Sequence, residues 1–508
     1  MEGHVARLAL SRCRRVSLSL ITVISGATLV FLAYVVFVPF PGGGAAAGGG
    51  LMHQWRRCRD SDAGAAARAP TSLSHIVFGI GGSARTWSRR RGYVELWWRP
   101  GTTRGHVWLD EEPPAGSWPA ATSPPYRVSP GEYSRFGRLA AASRMARIVA
   151  DSFAVVAAAN ANSKGEDGGG GEVRWFVMGD DDTVFFPDNL VAVLRKYDHE
   201  QAYYVGAPSE SVAQNLRHSY GMAFGGGGFA LSYPAAAELA GVIDGCIDRY
   251  RDLFGSDERV HACLSELGIP LTREPGFHQL DLHGDAYGLL SAHPVAPLVS
   301  LHHFDQIQPI NPQDQTPLDA VRSLVDAAQL DPARSLQQAF CYHHEDGGGY
   351  NWSVSIAWGY AVQLYPWAIP AHELEVPLQT FRALQGSPDG PFLFNTRPWR
   401  PDDVCAGPFA FFLNARNETD GAAATVTEYS RHVAAGEKST EECDKPSFRS
   451  AAAVQTVRVL APKMNPGDWE RAPRRQCCET AWAGRGSVME VRIGRCRRGE
   501  LTVVSSTP

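Results

Sequence analysis

The segment VRWFVMGDDDTVF sets three consecutive aspartates, Asp180, Asp181 and Asp182, directly after an apolar run of strand character and before a turn closing at Pro187. Open α/β sheets hold ligands beyond the carboxyl ends of their strands, so the position is informative. Hard divalent cations take carboxylate oxygens and keep open positions for phosphate oxygens, and an acidic cluster here suits a metal diphosphate. An acidic loop or a calcium site would share this composition. The EF-hand pattern fails, because no glycine stands at the sixth loop position and no glutamate at the twelfth.

Other residues fit the same chemistry less specifically. His302 and His303 follow another short apolar run in VSLHHFD, and a neutral imidazole would complete a metal shell. Mixed carboxylate and imidazole ligation favours manganese over magnesium. Either histidine alone is more often a surface or core residue. In GGGGFALS, Gly226 and Gly227 allow close backbone approach to a ligand, although glycines mark ordinary turns far more often. Asp257 and Glu258 open SDERVHACLSELG, whose apolar spacing is helical; acidic residues in a first turn with Ser256 as cap are a routine device. The alternative role is a general base that removes a proton from a hydroxyl. Arg89, Arg90 and Arg91 are suited to phosphate, yet a solvated basic face is the commoner explanation.

The elements that must position these residues alternate. HIVFGI reads as a strand, SRRRGYVELWW as a helix and GHVWLD as a strand, followed by helical spacing over 133–156. The low-complexity stretch 157–171 reads as an inserted surface loop. After the strand VRWFVM come a helix over 189–197, a strand at YYVGAP, the glycine run leading into FALS, and a helix over 235–250. This alternation predicts an α/β sheet with crossover helices. A helical connector over 318–330 leads into an aromatic, proline-rich region that predicts a second, strand-rich domain, and VQTVRVL and VMEVRIG in the tail predict a closing hairpin.

Composition bounds the rest. With 508 residues, 44% of them hydrophobic, the chain has ample core material, and a net charge of −5 gives no basic footprint for nucleic acid. Residues 16–40 carry no charge and follow Arg7, Arg12, Arg14 and Arg15, the pattern of a single transmembrane signal anchor with its basic side cytoplasmic. A cleaved signal peptide would have a shorter apolar core of about 7–15 residues. Glycines and alanines over 41–72 predict a flexible stem. Of ten cysteines, Cys13 falls on the cytoplasmic side, leaving an odd number for an oxidising lumen. Spacing suggests local bridges between Cys246 and Cys263 and between Cys477 or Cys478 and Cys496, while the lack of any CxxC pair argues against zinc. Sequons at Asn351 and Asn417 agree with a luminal location.

Taken in order, HIVFGI, WFVMGDDDTVF, YYVGAP, GGGGFALS, SDERVHACLSELG and SLHHFD resemble the Fringe-like glycosyltransferases, specifically their plant branch (DUF604), related to glycosyltransferase family 31. The resemblance covers roughly 74–305, with the aromatic region beyond resembling that branch's own extension. It implies a GT-A-like fold, a UDP-sugar donor, Mn2+ and inversion at the anomeric carbon. Under it, Asp182 is similar to the manganese-binding aspartate, Asp180 and Asp181 to the pair facing ribose and metal, and His303 to the later metal-binding histidine. The pattern has two acidic residues where this chain has Asp257 and Glu258; the base is one of these, with Asp257 favoured. The family's glycine after this motif is Ala262 here, a departure on the acceptor side.

These readings make a cytoplasmic tail (1–15), an anchor (16–40), a stem (41–72), a GT-A-like catalytic domain (73–312) and a β-rich C-terminal domain (313–508). The expected protein is a type II Golgi membrane enzyme that passes a hexosyl or N-acetylhexosaminyl group from a UDP-sugar to a glycan or glycoprotein. The rival is a catalytically silent luminal glycan-binding or scaffold protein that retains the fold.

Overall fold

The computed structural model describes residues 69–162, 172–314, 316–344, 351–400, 403–433, 443–482 and 486–502. The expected anchor, 16–40, lies outside them. No helix among the described residues is long and apolar enough to cross a membrane.

Seven of the described strands form one mixed sheet: β1 (Ile76–Gly81), β2 (Arg104–Leu109), β3 (Tyr126–Val128), β4 (Trp175–Asp180), β6 (Tyr204–Gly206), β7 (Phe229–Ser232) and β8 (Leu271–Arg273), in the order β3-β2-β1-β4-β7-β6-β8. All pairings are parallel except those of β7, which runs antiparallel to both neighbours. The chain first builds outward from β1 through β2 and β3, then returns to place β4 on the other side of β1. That reversal is the point where open α/β sheets leave a crevice at their carboxyl edge, and Asp180 ends β4 there.

The near-continuous apolar runs of β1 and β4 reflect burial on both faces. Ile76, Phe78, Ile80, Trp175 and Val177 enter one core; Val77, Phe176 and Met178, alternating with them, enter the other. The second core is closed by helices α2 (Ala140–Asn162), α4 (Tyr233–Arg249) and α5 (Ser256–Glu266). The first is covered by α1 (Trp87–Glu95), α3 (Pro187–Leu194) and α6 (Pro317–Leu330). Helix α2 runs on to Asn162, so the loop expected from 157 begins later than composition suggests; 163–171 lie outside the described residues. A three-stranded sheet, β5-β11-β9, sits beside the main one, with β5 at Val184–Phe185, β9 at Phe277–His278 and β11 at Ser300–Leu301.

The strand-rich region is a closed barrel in the order β12-β13-β14-β16-β17-β18-β20-β19. Its strands are β12 (Gln338–His344), β13 (Asn351–Ala357), β14 (Ala361–Tyr365), β16 (Phe409–Glu418), β17 (Ala424–His432), β18 (Thr456–Pro462), β19 (Cys477–Ala481) and β20 (Val488–Gly494). Buried residues alternate with exposed ones along β18 and β20, as barrel closure requires. The hairpin expected from VQTVRVL and VMEVRIG does not form: β18 and β20 are parallel neighbours, and the antiparallel partner of β20 is β19. The intervening chain is long enough for a parallel crossover, which a hairpin reading of two apolar runs overlooks.

The two regions share a core. Tyr360, Ala361 and Phe412 of the barrel side pack with Val321 and Leu324 of α6 and with Phe304 and Leu290 of the sheet domain. Strand β15 (Phe381–Ala383) leaves the barrel and pairs antiparallel with β10 (Leu282–Gly284). Disulfides join Cys246 to Cys263, Cys341 to Cys478, Cys405 to Cys443 and Cys477 to Cys496. The first and last are the local bridges read from spacing; the two others close longer loops that spacing does not reveal.

Candidate active site

The carboxylate turn is built by Thr183. Its Oγ1 accepts from the Asp180 amide at 2.8 Å and donates to the Gly226 carbonyl at 2.7 Å, while its own amide donates to the Asp180 carbonyl at 3.1 Å. One threonine therefore holds the acidic turn and fastens it to the glycine run. The Gly228 amide closes a turn on the Gly225 carbonyl at 3.0 Å, with φ +81 at Gly228, a left-handed conformation that suits glycine.

The same run makes room for an imidazole. A Cβ on Gly226 would lie 2.1 Å from His302 Cε1, so only a bare Cα admits that ring. Gly227 donates to Gln279 Oε1 at 2.6 Å. Gly226 and Gly227, expected to allow close approach of a ligand, seat His302 and bond the chain beside it.

Of the two adjacent histidines, the structure brings His302 to the carboxylates. Strand β11 pairs with β5 so that Leu301 faces Val184, and the next residue, His302, comes level with the acidic turn. Its Nε2 lies 3.1 Å from Asp182 Oδ1 and 3.9 Å from Asp180 Oδ2. His303 takes a left-handed φ of 58° and turns away, its Nδ1 standing 3.2 Å from Asp281 Oδ1. The expectation that His303 joins the carboxylates is therefore corrected, since it is His302 that meets them: side chains alternate at a strand end, and one residue of register exchanges the two rings.

Asp180, Asp182 and His302 form the one group among the described residues whose ligand atoms lie within 4.8 Å of one another. Asp181 faces Arg90, whose Nη1 lies 3.0 Å from Asp181 Oδ1 and 3.2 Å from Asp182 Oδ2, and Thr86 Oγ1 donates to Asp181 at 3.4 Å. The middle member of the basic run on α1 is thus part of the site, whereas Arg91 pairs with Glu95 along the helix. Sequence showed only a charge run; a helix whose buried side carries Trp87, Tyr93 and Val94 was the available sign that Arg90 lies near the sheet edge.

The electrostatics are uneven. Burial works to raise Asp182, but the charge and hydrogen bond of His302, together with Arg90, outweigh it and hold this carboxyl at about 2. Burial, opposed by His302 and reinforced by Asp182, Asp181 and Asp257, pushes Asp180 up to about 7, although about a third (34%) of its side chain remains accessible. Asp181 is raised mainly by burial. His302 is raised despite burial, by Asp182 first and Asp180 after it. Four acidic groups thus crowd around one arginine and one imidazole, the setting in which a divalent cation relieves mutual repulsion. Two carboxylates and an imidazole are a fitting donor set for such an ion, and His302 Nδ1, buried without a hydrogen-bond partner, leaves the tautomer free to present Nε2 as a ligand.

The two base candidates differ. Asp257 and Asp180 line one narrow crevice with Gly225 and Met178. Asp257 accepts from the Gly225 amide at 3.0 Å and the Glu258 amide at 2.9 Å, and burial raises it above the usual carboxylate range against those two bonds. Glu258 is engaged elsewhere: Oε1 meets His218 Nδ1 at 2.7 Å and Oε2 accepts from the Gly255 amide at 2.8 Å. That last bond makes Gly255 the helix cap, not Ser256, because Glu258 reaches back over the first turn. The Cys246–Cys263 bridge ties α5 to α4 and so fixes the helix end that carries Asp257.

No curated protein matches the chain. The family model described as "Protein of unknown function, DUF604" matches residues 214–478, just over half of the chain, taking in Asp257, Glu258, His302 and most of the barrel but not the acidic turn. The chain belongs to the DUF604 family, which is related to glycosyltransferases.

Proposed function

We propose that this protein is a Fringe-like glycosyltransferase of GT-A type that moves a hexosyl or N-acetylhexosaminyl group from a UDP-sugar to a glycan or glycoprotein hydroxyl with inversion. The observation that carries the reading is the meeting of Asp180, Asp182 and His302 at the carboxyl edge of β4, with Asp257 in the adjoining crevice. A divalent cation, Mn2+ by the mixed donor set, would be held by Asp180, Asp182 and His302 and would supply charge neutralisation to a diphosphate. Arg90 offers a second positive charge to the same group. Asp257 takes the proton of the acceptor hydroxyl; the acceptor oxygen bonds to the anomeric carbon as the bond from that carbon to UDP breaks. Burial suits Asp257 to this task, since a raised carboxyl is a stronger base once ionised.

A Golgi-luminal, type II placement belongs to the same reading. Four disulfides among the described residues call for an oxidising compartment, and the sequon residue Asn417 is exposed at the end of β16. The proposed division at 312/313 precedes α6, whose Val321 and Leu324 pack in the core shared by the two regions.

The test is to incubate the full-length chain, solubilised in detergent, with a panel of UDP-sugars and polysaccharide or glycoprotein acceptors, with and without Mn2+. Acceptor-stimulated, Mn2+-dependent release of UDP is expected. Binding of glycans with no binding of UDP in the presence of Mn2+ would reject the enzyme in favour of a silent luminal binding or scaffold protein.

A further inference from the structure

A cavity of about 610 Å³ opens between the sheet domain and the chain that returns from the barrel. Its size falls in the range of about 300–1,000 Å³ typical of small-ligand sites. Residues after β6 (Ser209, Glu210) and after β8 (Glu274) contribute one wall, and Leu393, Phe394 and Asn395 of the returning segment form another. Because β6 and β8 run parallel to β4, this wall stands on the same carboxyl edge as the acidic turn. The small sheet gives the separation. His278 on β9 lines the cavity and is paired with Leu301, the residue before His302, while β5 begins two residues after Asp182. Two strand spacings, about 10 Å, therefore separate the cavity from the carboxylates.

We propose that this cavity binds a neutral saccharide and serves as the pocket for the acceptor glycan, an assignment that rests on the transferase reading only for the word acceptor. Three observations define the ligand class. The lining holds three carboxylates, Glu210, Glu274 and Glu375, against two guanidiniums, Arg273 and Arg475, so an anionic ligand meets no net attraction. The guanidiniums are also engaged, Arg273 with the Tyr220 carbonyl at 2.8 Å and Arg475 with Glu375 at 3.4 Å. Hydrogen-bonding capacity is in excess: His278 Nε2, His293 Nε2, Gln338 Oε1 and Arg475 Nε are buried without partners, all on lining residues. Burial and the neighbouring His278 push His293 well below the usual imidazole range, which keeps it uncharged. Finally, Phe277, Leu289, Val295 and Phe394 add apolar wall, so polar groups and hydrophobic surface line one space. A sugar ring, with hydroxyls at its rim and C–H groups on its faces, uses both kinds of surface.

The test uses the full-length chain on an array of neutral oligosaccharides without UDP or Mn2+, followed by affinity measurement on the bound glycans. Three variants are compared: Asn395→Ala at the exposed rim, Glu210→Gln within, and Asp182→Asn in the acidic turn. At least a tenfold loss of glycan affinity is expected for the first two and none for the third, with Mn2+-dependent UDP binding unchanged in the first two. Thermal unfolding separates a folding defect in Glu210→Gln from a binding defect, and Asn395→Ala carries the test if that variant is unstable. Absence of binding to every glycan, or equal binding by all three variants, overturns the pocket while leaving the transferase reading to its own UDP assay. Glycan binding lost in the pocket variants of a chain that binds no UDP would uphold the pocket and overturn the transferase.

Discussion

Two sets of carboxylates and imidazoles gather around the small β5-β11-β9 sheet, and they differ in how their charge is met. In the first, Asp180, Asp181 and Asp182 share Arg90 and His302, with Asp257 close by, and the strain shows in one carboxyl held at about 2 and another pushed to about 7. In the second, Asp281 accepts from Ser209 Oγ at 2.6 Å and stands beside His303, while Glu210 accepts from the Leu280 amide at 2.9 Å and meets His278 at 3.1 Å. Both sets contain carboxylates and imidazoles. Each acid of the second set has an uncharged donor and an imidazole of its own within reach, whereas the four acids of the first set share one arginine and one imidazole. The crowding of carboxylates, and not the mere presence of Asp and His, distinguishes the candidate metal centre from the second set.

The largest effect that would sharpen this contrast comes from Asp182→Ala. Loss of an outer-shell partner costs about 10–100-fold in metal affinity, so loss of a ligand is expected to exceed about 100-fold in Mn2+ affinity and to abolish UDP release. Titration with Mn2+ and a UDP-release assay check this; near wild-type values for both would erase the distinction between the two sets. Next is Gly226→Ala. The added methyl would overlap the His302 ring, and the imidazole must move. A fall of about 10–100-fold in Mn2+ affinity, with a loss of about 1–3 kcal/mol in stability from overpacking, is expected by metal titration and denaturant unfolding. Retained affinity would show that His302 is not a ligand.

Much of the first set was legible in sequence because the needed signals are local. An apolar run ending in acidic residues announces a buried strand and what lies at its end, and Asp180 to Asp182 stand where that pattern puts them. What was not legible depends on contacts far apart in the chain. Whether His302 or His303 faces the acids is decided by the pairing of Leu301 with Val184, across more than a hundred residues. Arg90 looks like part of a solvated run until the sheet edge is present to receive it. The barrel is closed by parallel contacts of β18 with β20 and of β12 with β19, which no local pattern encodes. Cysteine pairing divides the same way: Cys246–Cys263 follows from spacing, Cys341–Cys478 only from the barrel.

Proton competition probes the contrast from another side. Burial pushes the Asp180 carboxyl up to about 7 in the folded protein, above its ordinary value of 3.8. Between those values the folded state holds more protons than the unfolded one, so the metal-free protein loses stability as pH rises through this window. The same proton competes with a cation, and metal affinity is expected to weaken about fivefold from pH 7 to pH 6 if one proton is displaced. Calorimetric Mn2+ titration at several pH values checks both the slope and proton release. A flat profile over that range would remove Asp180 from the shell.

The smallest expected effect tests the second set. Asp281→Asn keeps an oxygen to accept from Ser209 and removes the charge beside His303, whose ring lies 4.0 Å from that of His302. Were His303 and Asp281 to orient the metal ligand as an outer shell, the change would cost about 10–100-fold in affinity. The two rings meet at a tilt of 31° with no hydrogen bond between them, and His302 Nδ1 has no partner through which orientation could pass. Unchanged Mn2+ affinity in Asp281→Asn is therefore expected by the same titration, and a fall of tenfold or more would join the two sets into one site.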